Sequence, residues 1–477
     1  MQNFSIPQTI SSTQKQIFAF GLLAVVVFFS CLLGIFTRPL SYFSFFWPSN
    51  ALLLGLLIRF PSLKSFGGIL GAFFGYMGAD LVTDNTFLMT LGLTLSNFVA
   101  VFSGLFFFNF ARAKLPASNN NVSELYPHII AVTLGCFFGA LFAILLLPNL
   151  PHTFMLKENR WIDFFTWWSG EILNAVIVLP LILAAPGWSK FKKLINNQYA
   201  KETQIQDILP FFALLISIAC THIFYGPGAL LYPLAALIWA AASYQLFNLA
   251  LINSLVCLTL YHSVTGLFID QVNSSYLTTI ISIRVGLIIL GLATLILCVI
   301  SQNRNQLYRE VLYLANHDSL TETLNRRSFT QLSEKALKHK NNHSLSLIML
   351  DIDDFKKMND QYGHYVGDRA LQHLSNIVKS NLRDHDLFCR IGGEEFIILL
   401  NNNNLNKTQR IAERIRMCIE HQALNLENLE PIHFTVSMGV SHTHLPTNLP
   451  LQDLIIQADQ ALYQAKMQGR NRVILAS

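Results

Sequence analysis

Charge is what this chain has least of. Of its 477 residues, 13% are Asp, Glu, Lys or Arg and 52% are hydrophobic, which excludes a single soluble domain, where about a quarter of residues carry charge. Cysteine is scarce too: there are seven, with no Cys-x-x-Cys pair, so no disulfide framework or zinc site is expected and the thiols read as small packing groups. The absence of Gly-x-x-x-x-Gly-Lys-Ser/Thr excludes a P-loop NTPase. In DIDDFKKMNDQY, Lys356 takes the sixth position, where a calcium loop needs glycine for its sharp turn. His317, His364 and His385 lack the i, i+4 spacing of a zinc hydrolase helix. The first apolar run, 17–36, has polar residues before it and no small-residue cleavage site after it, so it reads as a retained anchor, not a signal peptide.

The scarcity of charge is uneven. Residues 1–300 hold 13 Lys/Arg and 9 Asp/Glu, leaving 20 and 19 of the totals of 33 and 28 for residues 301–477. A bilayer-spanning helix needs about 20 apolar residues, and ten such windows are predicted, at 17–36, 41–59, 66–83, 87–109, 127–147, 162–185, 207–225, 229–246, 248–268 and 277–301. With ten crossings, Lys15, Arg59, Lys64, Arg112, Lys114, Lys190, Lys192, Lys193, Lys201, Arg304 and Arg309 fall on one side, and only Arg38, Lys157 and Arg160 on the other. Basic loops mark the cytoplasmic side, so both termini are expected there.

Ionisable groups at membrane depth are costly and are functional candidates by default. Asp80, Glu171 and Arg284 qualify. Asp80 and Glu171 are the sensor candidates, the alternative being that both are hydrated at helix ends. Few charged pairs or broken helices are apparent in 1–300, which weighs against a transporter. After the bundle, Ile300, Leu307 and Leu314 recur every seven residues with Arg304 and Val311 between them. This two-heptad seam is too short to dimerise alone. Residues 301–316 are therefore expected to be a signalling helix.

The remainder, 317–477, alternates strand and helix periods and reads as a mixed α/β domain. SLSLIMLDI is a strand ending in acids; DLFCRI and EFIILL are strands on either side of Gly392-Gly393. That dipeptide tolerates the positive φ of a tight hairpin, so Glu394 and Glu395 sit at its tip. If the two strand ends are neighbours, Asp351 and Glu394 converge with a backbone carbonyl on an all-oxygen pocket that suits Mg²⁺.

HDSLTETLNRR at 317–327, DIDDFKKMNDQYGHYVGD at 351–368, GGEEF at 392–396, SMGVS at 437–441 and ADQALYQAKMQGRN at 458–471 together closely resemble the GGDEF domain, the diguanylate cyclase module. FWPSNALLLGLLIRF, FTWWSGEILNAVIVLPLIL and LYPLAALIWAAAS resemble the first subtype of the MASE membrane sensor family. The resemblance implies a multi-spanning membrane sensor over 1–300 followed by a nucleotidyl cyclase palm, in the bacterial inner membrane. It implies a homodimer that condenses two GTP into cyclic di-GMP, with two Mg²⁺ per site and Mn²⁺ as the alternative. Metal ligands fall on Asp351, the Ile352 carbonyl and Glu394, with Glu395 as the adjacent catalytic acid. Guanine readers fall on Asn359 and Asp368, and phosphate binders on Lys356, Lys466 and Arg470. Arg383, Asp386 and Arg414 match a site of inhibition by product. Glu322 and Thr323 depart from the usual Gly-Leu. An alternative is a GGDEF-type domain that binds nucleotide without turning it over. The membrane ligand is left unnamed, no nucleic-acid partner is expected, and no phosphodiesterase module is expected after Ser477.

Overall fold

The computed structural model describes residues 12–37, 44–114, 125–151, 153–155, 157–188, 192, 205–224, 227–266, 274–338, 344–401, 404–426, 429–445 and 449–476. Arg38, Lys190, Lys193 and Lys201 of the topology argument lie outside the described residues. The chain divides into two compact units, Met1–Gln306 and Leu307–Ser477.

Ten α-helices are described up to the boundary: α1 Ser12–Phe36, α2 Ser49–Arg59, α3 Phe66–Val82, α4 Phe87–Lys114, α5 Leu125–Leu146, α6 Arg160–Ala184, α7 Ile205–Ile223, α8 Leu234–Ser243, α9 Leu246–Gly266 and α10 Ser274–Asn316. Six are long and apolar enough to cross a membrane. Against the ten windows expected, four apolar helices among the described residues are shorter than this. Helix α2 has 11 residues and α8 has 10, and at about 1.5 Å per residue neither reaches across about 30 Å of hydrocarbon. Hydropathy windows missed this because the segments before both helices are apolar as well. Residues 301–316 form no separate element, being the end of α10. Leu307, Val311 and Leu314 are exposed there.

Helices α1 and α3 pack at backbone distance. A Cβ placed on Gly67, Gly71 or Gly75 would overlap the main-chain oxygen of Gln16, Phe20 or Ala24 respectively. This is the spacing by which small residues let helices meet where no hydrophobic effect drives them together. Polar groups are buried with them. Asp80 is 1% exposed, accepts from Asn85 Nδ2 at 3.1 Å and so braces the α3–α4 turn. Neither Asp80 nor Glu171 is hydrated at a helix end, since Glu171 is only 6% exposed.

The second unit contains α11 Arg326–Lys338, α12 Phe355–Tyr362, α13 His364–Asn381, α14 Leu405–His421 and α15 Leu451–Met467 around a six-stranded sheet. The strands are β1 Leu324–Asn325, β2 Ser344–Ile352, β3 Leu387–Gly392, β4 Glu395–Asn401, β5 Val436–His444 and β6 Val473–Leu475, in the order β1-β3-β4-β2-β5-β6. Every residue of β2 is buried. Its alternate side chains enter two cores: Ile348, Leu350 and Ile352 join the one capped by α13 and α14, while Leu345, Leu347 and Met349 join the one capped by α11 and α15. Helices on both faces explain a strand with no polar side. The departure at Glu322 also has a visible consequence. Its φ is 54°, a conformation that favours glycine, and Lys379 Nζ holds the turn by donating to the carbonyls of Thr321 and Glu322 at 3.0 and 2.9 Å.

Replacing Gly71 with valine should push α3 off α1, costing about 1–3 kcal/mol by overpacking. The check is the thermal midpoint of the purified full-length protein, which should fall; an unchanged midpoint would contradict this packing.

Candidate active site

The site forms where β2 ends. Strand β2 pairs antiparallel with β4 on one side and β5 on the other, so that Asp351 faces Glu395 across one ladder and Ser437 across the other. Strands β3 and β4 are joined by a two-residue turn, Gly393-Glu394, with Gly392 opposite Glu395. Gly393 has φ 52° and Glu394 is not left-handed, which matches the type II′ hairpin, whose first central position requires glycine. The predicted hairpin is thus present. The register brings Glu395 and Asp351 to one end of the sheet, Glu394 half-buried and Glu395 exposed.

Asp351 is 4% exposed and pairs with Lys466 Nζ at 2.8 Å. Burial pushes its carboxyl up to about 6; Lys466 opposes this, while the charges of Glu394 and Glu395 add to it. The two acids of the hairpin thus act on Asp351 together, and a single lysine does not neutralise the three. The donor set fits a hard divalent cation. Two carboxylates with a strand-end carbonyl such as that of Ile352 leave positions for water and phosphate, as Mg²⁺ demands. Among the described residues no cluster of three His, Cys, Asp or Glu closes on a common ion position.

Asp353 does different work. Its carboxylate accepts from Thr435 Oγ1 and Ser437 Oγ at 2.7 Å each and from the Asn471 backbone N–H at 3.0 Å. That satisfied carboxylate pins the turn after α15, where Gly469, Arg470 and Asn471 have φ of 112°, 61° and 44°. The turn in turn places Arg470, whose Nη2 lies 3.9 Å from Asp354. Lys356 is exposed near the start of α12.

The other predicted readers flank the break between α12 and α13. Gly363, at φ 85°, closes one helix and opens the next. Asn359 Oδ1 is buried without a hydrogen-bond partner, and a Cβ on Gly367 would overlap it. Asp368 is exposed. A buried, unsatisfied amide oxygen beside an exposed carboxylate offers one acceptor and one anion to the polar edge of a base.

Arg383 and Asp386 sit in the loop after α13. They do not form the side-chain ion pair that their spacing allows: the backbone N–H of Arg383 donates to Asp386 Oδ2 at 3.1 Å, and that of Asp386 to the Arg383 carbonyl at 3.0 Å. The carboxylate therefore shapes the loop. Arg414 Nη2 donates to the Asn381 carbonyl at 2.8 Å, at the end of α13.

Two residues were missed in the sequence. Arg390 Nε donates to the Gly393 carbonyl at 2.8 Å while its Nη1 pairs with Asp318 at 3.2 Å, so the hairpin tip is braced against the start of the domain. Burial pushes the Asp318 carboxyl up, but hydrogen bonds from Thr321 and the Arg390 guanidinium outweigh it and hold it below the usual range. Both lie within motifs singled out above, yet only the folded register shows what they touch.

Residues 315–472 match the family described as "Diguanylate cyclase, GGDEF domain", and residues 19–305 match MASE1. A curated relative, "Probable diguanylate cyclase DgcF" of Escherichia coli O157:H7, is 26% identical over 451 residues, covering 92% of this chain and 91% of its own length. "Diguanylate cyclase DosC" of Escherichia coli K12 is 40% identical over 161 residues, 33% of this chain and 34% of the relative. Among solved structures, the coiled coil and GGDEF domain of DgcB from Caulobacter crescentus in complex with c-di-GMP is 26% identical, covering 37% of this chain and 93% of that one, with a TM-score of 0.35.

The raised Asp351 carboxyl has a thermodynamic signature. Between about pH 4 and about 6 the folded carboxyl binds more protons than the unfolded one, so its contribution to stability falls as pH rises. Asp351→Asn should gain on wild type through that window, by about 1.4 kcal/mol per pH unit at most. Urea unfolding of residues 307–477 without divalent metal measures the difference; a pH-independent difference would contradict the reading.

Proposed function

The chain belongs to the MASE1 family and carries a GGDEF domain; from this we propose that it is a membrane-bound diguanylate cyclase, condensing two GTP into cyclic di-GMP and two pyrophosphates under control of its membrane unit. What carries the reading is the register that sets Asp351 opposite Glu395 beside Glu394, with a carboxyl held at about 6. Mg²⁺, two ions per site with Mn²⁺ as the alternative, would be held by Asp351, the Ile352 carbonyl and Glu394 and would supply charge neutralisation at the phosphates.

The chain's own groups divide the remaining tasks. Asn359 accepts from guanine, and Asp368 takes its ring and amino N–H donors. Lys356, Lys466 and Arg470 bind phosphate; Lys466, paired here with Asp351, is positioned to turn from carboxylate to phosphate oxygen. Glu395, exposed at the head of β4, takes the proton of the attacking 3′-hydroxyl, and Arg390 keeps the tip in place while it does so. One domain holds one GTP, so the reaction needs a second copy. The exposed Leu307, Val311 and Leu314 of α10 provide a seam for it. In this reading 301–316 is the signalling helix between a sensor over 1–300 and a cyclase over 317–477, both termini cytoplasmic in the bacterial inner membrane.

Arg383, Asp386 and Arg414 form the inhibitory site in this reading. The Arg383 guanidinium, not tied to Asp386, can take a phosphate or guanine edge bidentately. Bound product then favours an unproductive arrangement by differential affinity. In the membrane unit, Glu171 is the sensor residue of choice, while Asp80 braces a turn.

Progress curves with GTP, product identified by mass spectrometry, test both parts. Wild type should form cyclic di-GMP and slow as it accumulates, Glu395→Gln should form less than about a hundredth as much, and Arg383→Ala should start at the wild-type rate and stay linear longer. Undiminished turnover in Glu395→Gln would remove the catalytic assignment; equal slowing in Arg383→Ala would remove the inhibitory one.

A further inference from the structure

The chain after α15 turns through three left-handed residues in a row, Gly469, Arg470 and Asn471, at φ 112°, 61° and 44°. Glycine takes that conformation freely; asparagine does so at a small cost and arginine at a larger one. A turn of this kind persists only where its surroundings fix it. One anchor is the Asp353 carboxylate, which accepts from the Asn471 backbone N–H at 3.0 Å. At the front of the turn the Arg470 N–H donates to the Ala465 carbonyl at 3.0 Å, and behind it the Arg472 carbonyl accepts from the Met438 N–H at 2.9 Å as β6 begins. These bonds hold the main chain and leave the Asn471 side chain to be placed from elsewhere.

That side chain is held by α14. Arg416 Nη1 donates to Asn471 Oδ1 at 2.6 Å, and Asn471 Nδ2 donates to Glu420 Oε1 at 2.7 Å. Arg416 is fixed in its turn. Its Nη1 also donates to Glu420 Oε2 at 2.7 Å, and its Nε and Nη2 both donate to Glu413 Oε1, at 2.8 and 2.7 Å. Ion pairs three and four residues apart on an exposed helix face contribute little. This cluster differs in two respects. The Arg416 side chain is only 11% exposed, and its bond to Asn471 reaches 55 residues along the chain, to a turn whose conformation does not support itself.

We propose that Arg416 is a positioning residue for phosphate binding: through the Asn471 side chain it fixes the turn from which Arg470 reaches the triphosphate of GTP. Arg470 is the residue before Asn471. Its side chain is half exposed and its Nη2 is 3.9 Å from Asp354, beyond hydrogen-bond distance, so the backbone it stands on sets its direction more than that contact does. Lys466, the other phosphate binder of this segment, needs no such device, because it lies within α15 and its Nζ is 2.8 Å from Asp351. Asn471 receives two supports, Asp353 from the chain just after β2 and Arg416 with Glu420 from α14. The strand that carries Asp351 and the turn that carries Arg470 are thereby tied at one residue. The inference rests on the phosphate role proposed above for Arg470.

Initial rates of the full-length protein with GTP, taken before product accumulates, test this in Arg470→Ala and in Arg416→Gln and Asn471→Gly, each alone and combined with Arg470→Ala. Glycine at 471 removes the side chain and keeps the positive φ, so it reports on the clamp even where Arg416→Gln does not fold. Arg470→Ala should raise KM about tenfold. Arg416→Gln and Asn471→Gly should each raise it about threefold or more with kcat changed less than about twofold, the pattern of lost uniform binding. Neither should raise KM further in the Arg470→Ala background, because residues that act through one another are not additive. Wild-type KM in both Arg416→Gln and Asn471→Gly, beside a raised KM in Arg470→Ala, would overturn the proposal and leave the phosphate role of Arg470 standing. So would a fully additive effect in the combined variants, or a loss of kcat at constant KM. Wild-type KM in Arg470→Ala would remove the phosphate role itself, and the inference with it.

Discussion

The second unit depends on one strand that is buried along its whole length and ends in carboxylates. Strand β2 has no solvent face, because α13 and α14 cover one side and α11 and α15 the other. Its pairing with both β4 and β5 is therefore fixed, since a one-residue slip would exchange the side chains of the two cores. Asp351 and Asp353 are delivered by that register to fixed but different surroundings. Asp353 finds three donors and becomes structural. Asp351 finds one lysine and two more acids, and burial keeps its carboxyl at about 6. A group left this unsatisfied by its own fold marks a functional site.

The hairpin tip follows from the same register. Glu395 opens β4 opposite Asp351, and Gly393 takes the positive φ that lets the chain reverse in two residues. Arg390 then ties the tip to Asp318, so the acids rest on a braced element. Preorganisation of this kind is what a reaction limited by positioning and charge neutralisation requires.

Much of this was legible in the sequence. The acid-ended strand and the strands on either side of Gly392-Gly393 are local signals, and each is found where it was expected, with the reversal one residue on, at Gly393-Glu394. What was not legible depends on long-range contact. The distinction between Asp351 and Asp353 needs Thr435, Ser437 and Asn471, more than 80 residues away. The short β1 and β6 carry too few residues for a period to register. In the membrane unit, hydropathy cannot tell an 11-residue helix with an apolar lead-in from a full span, which is why α2 and α8 were expected to cross. The burial of Glu171 on α6 and of Arg284 against the same helix is likewise a property of packing alone.

The convergence of Asp351 and Glu394 on a divalent cation is the claim on which the catalytic reading stands, and Mn²⁺ reports on it directly. Electron paramagnetic resonance of Mn²⁺ added to residues 307–477 with a non-hydrolysable GTP analogue measures the ion bound to the complex. Wild type should hold Mn²⁺ that nucleotide alone does not, and Asp351→Asn and Glu394→Gln should each weaken that binding at least about tenfold. Equal Mn²⁺ binding in wild type and both variants would contradict the claim.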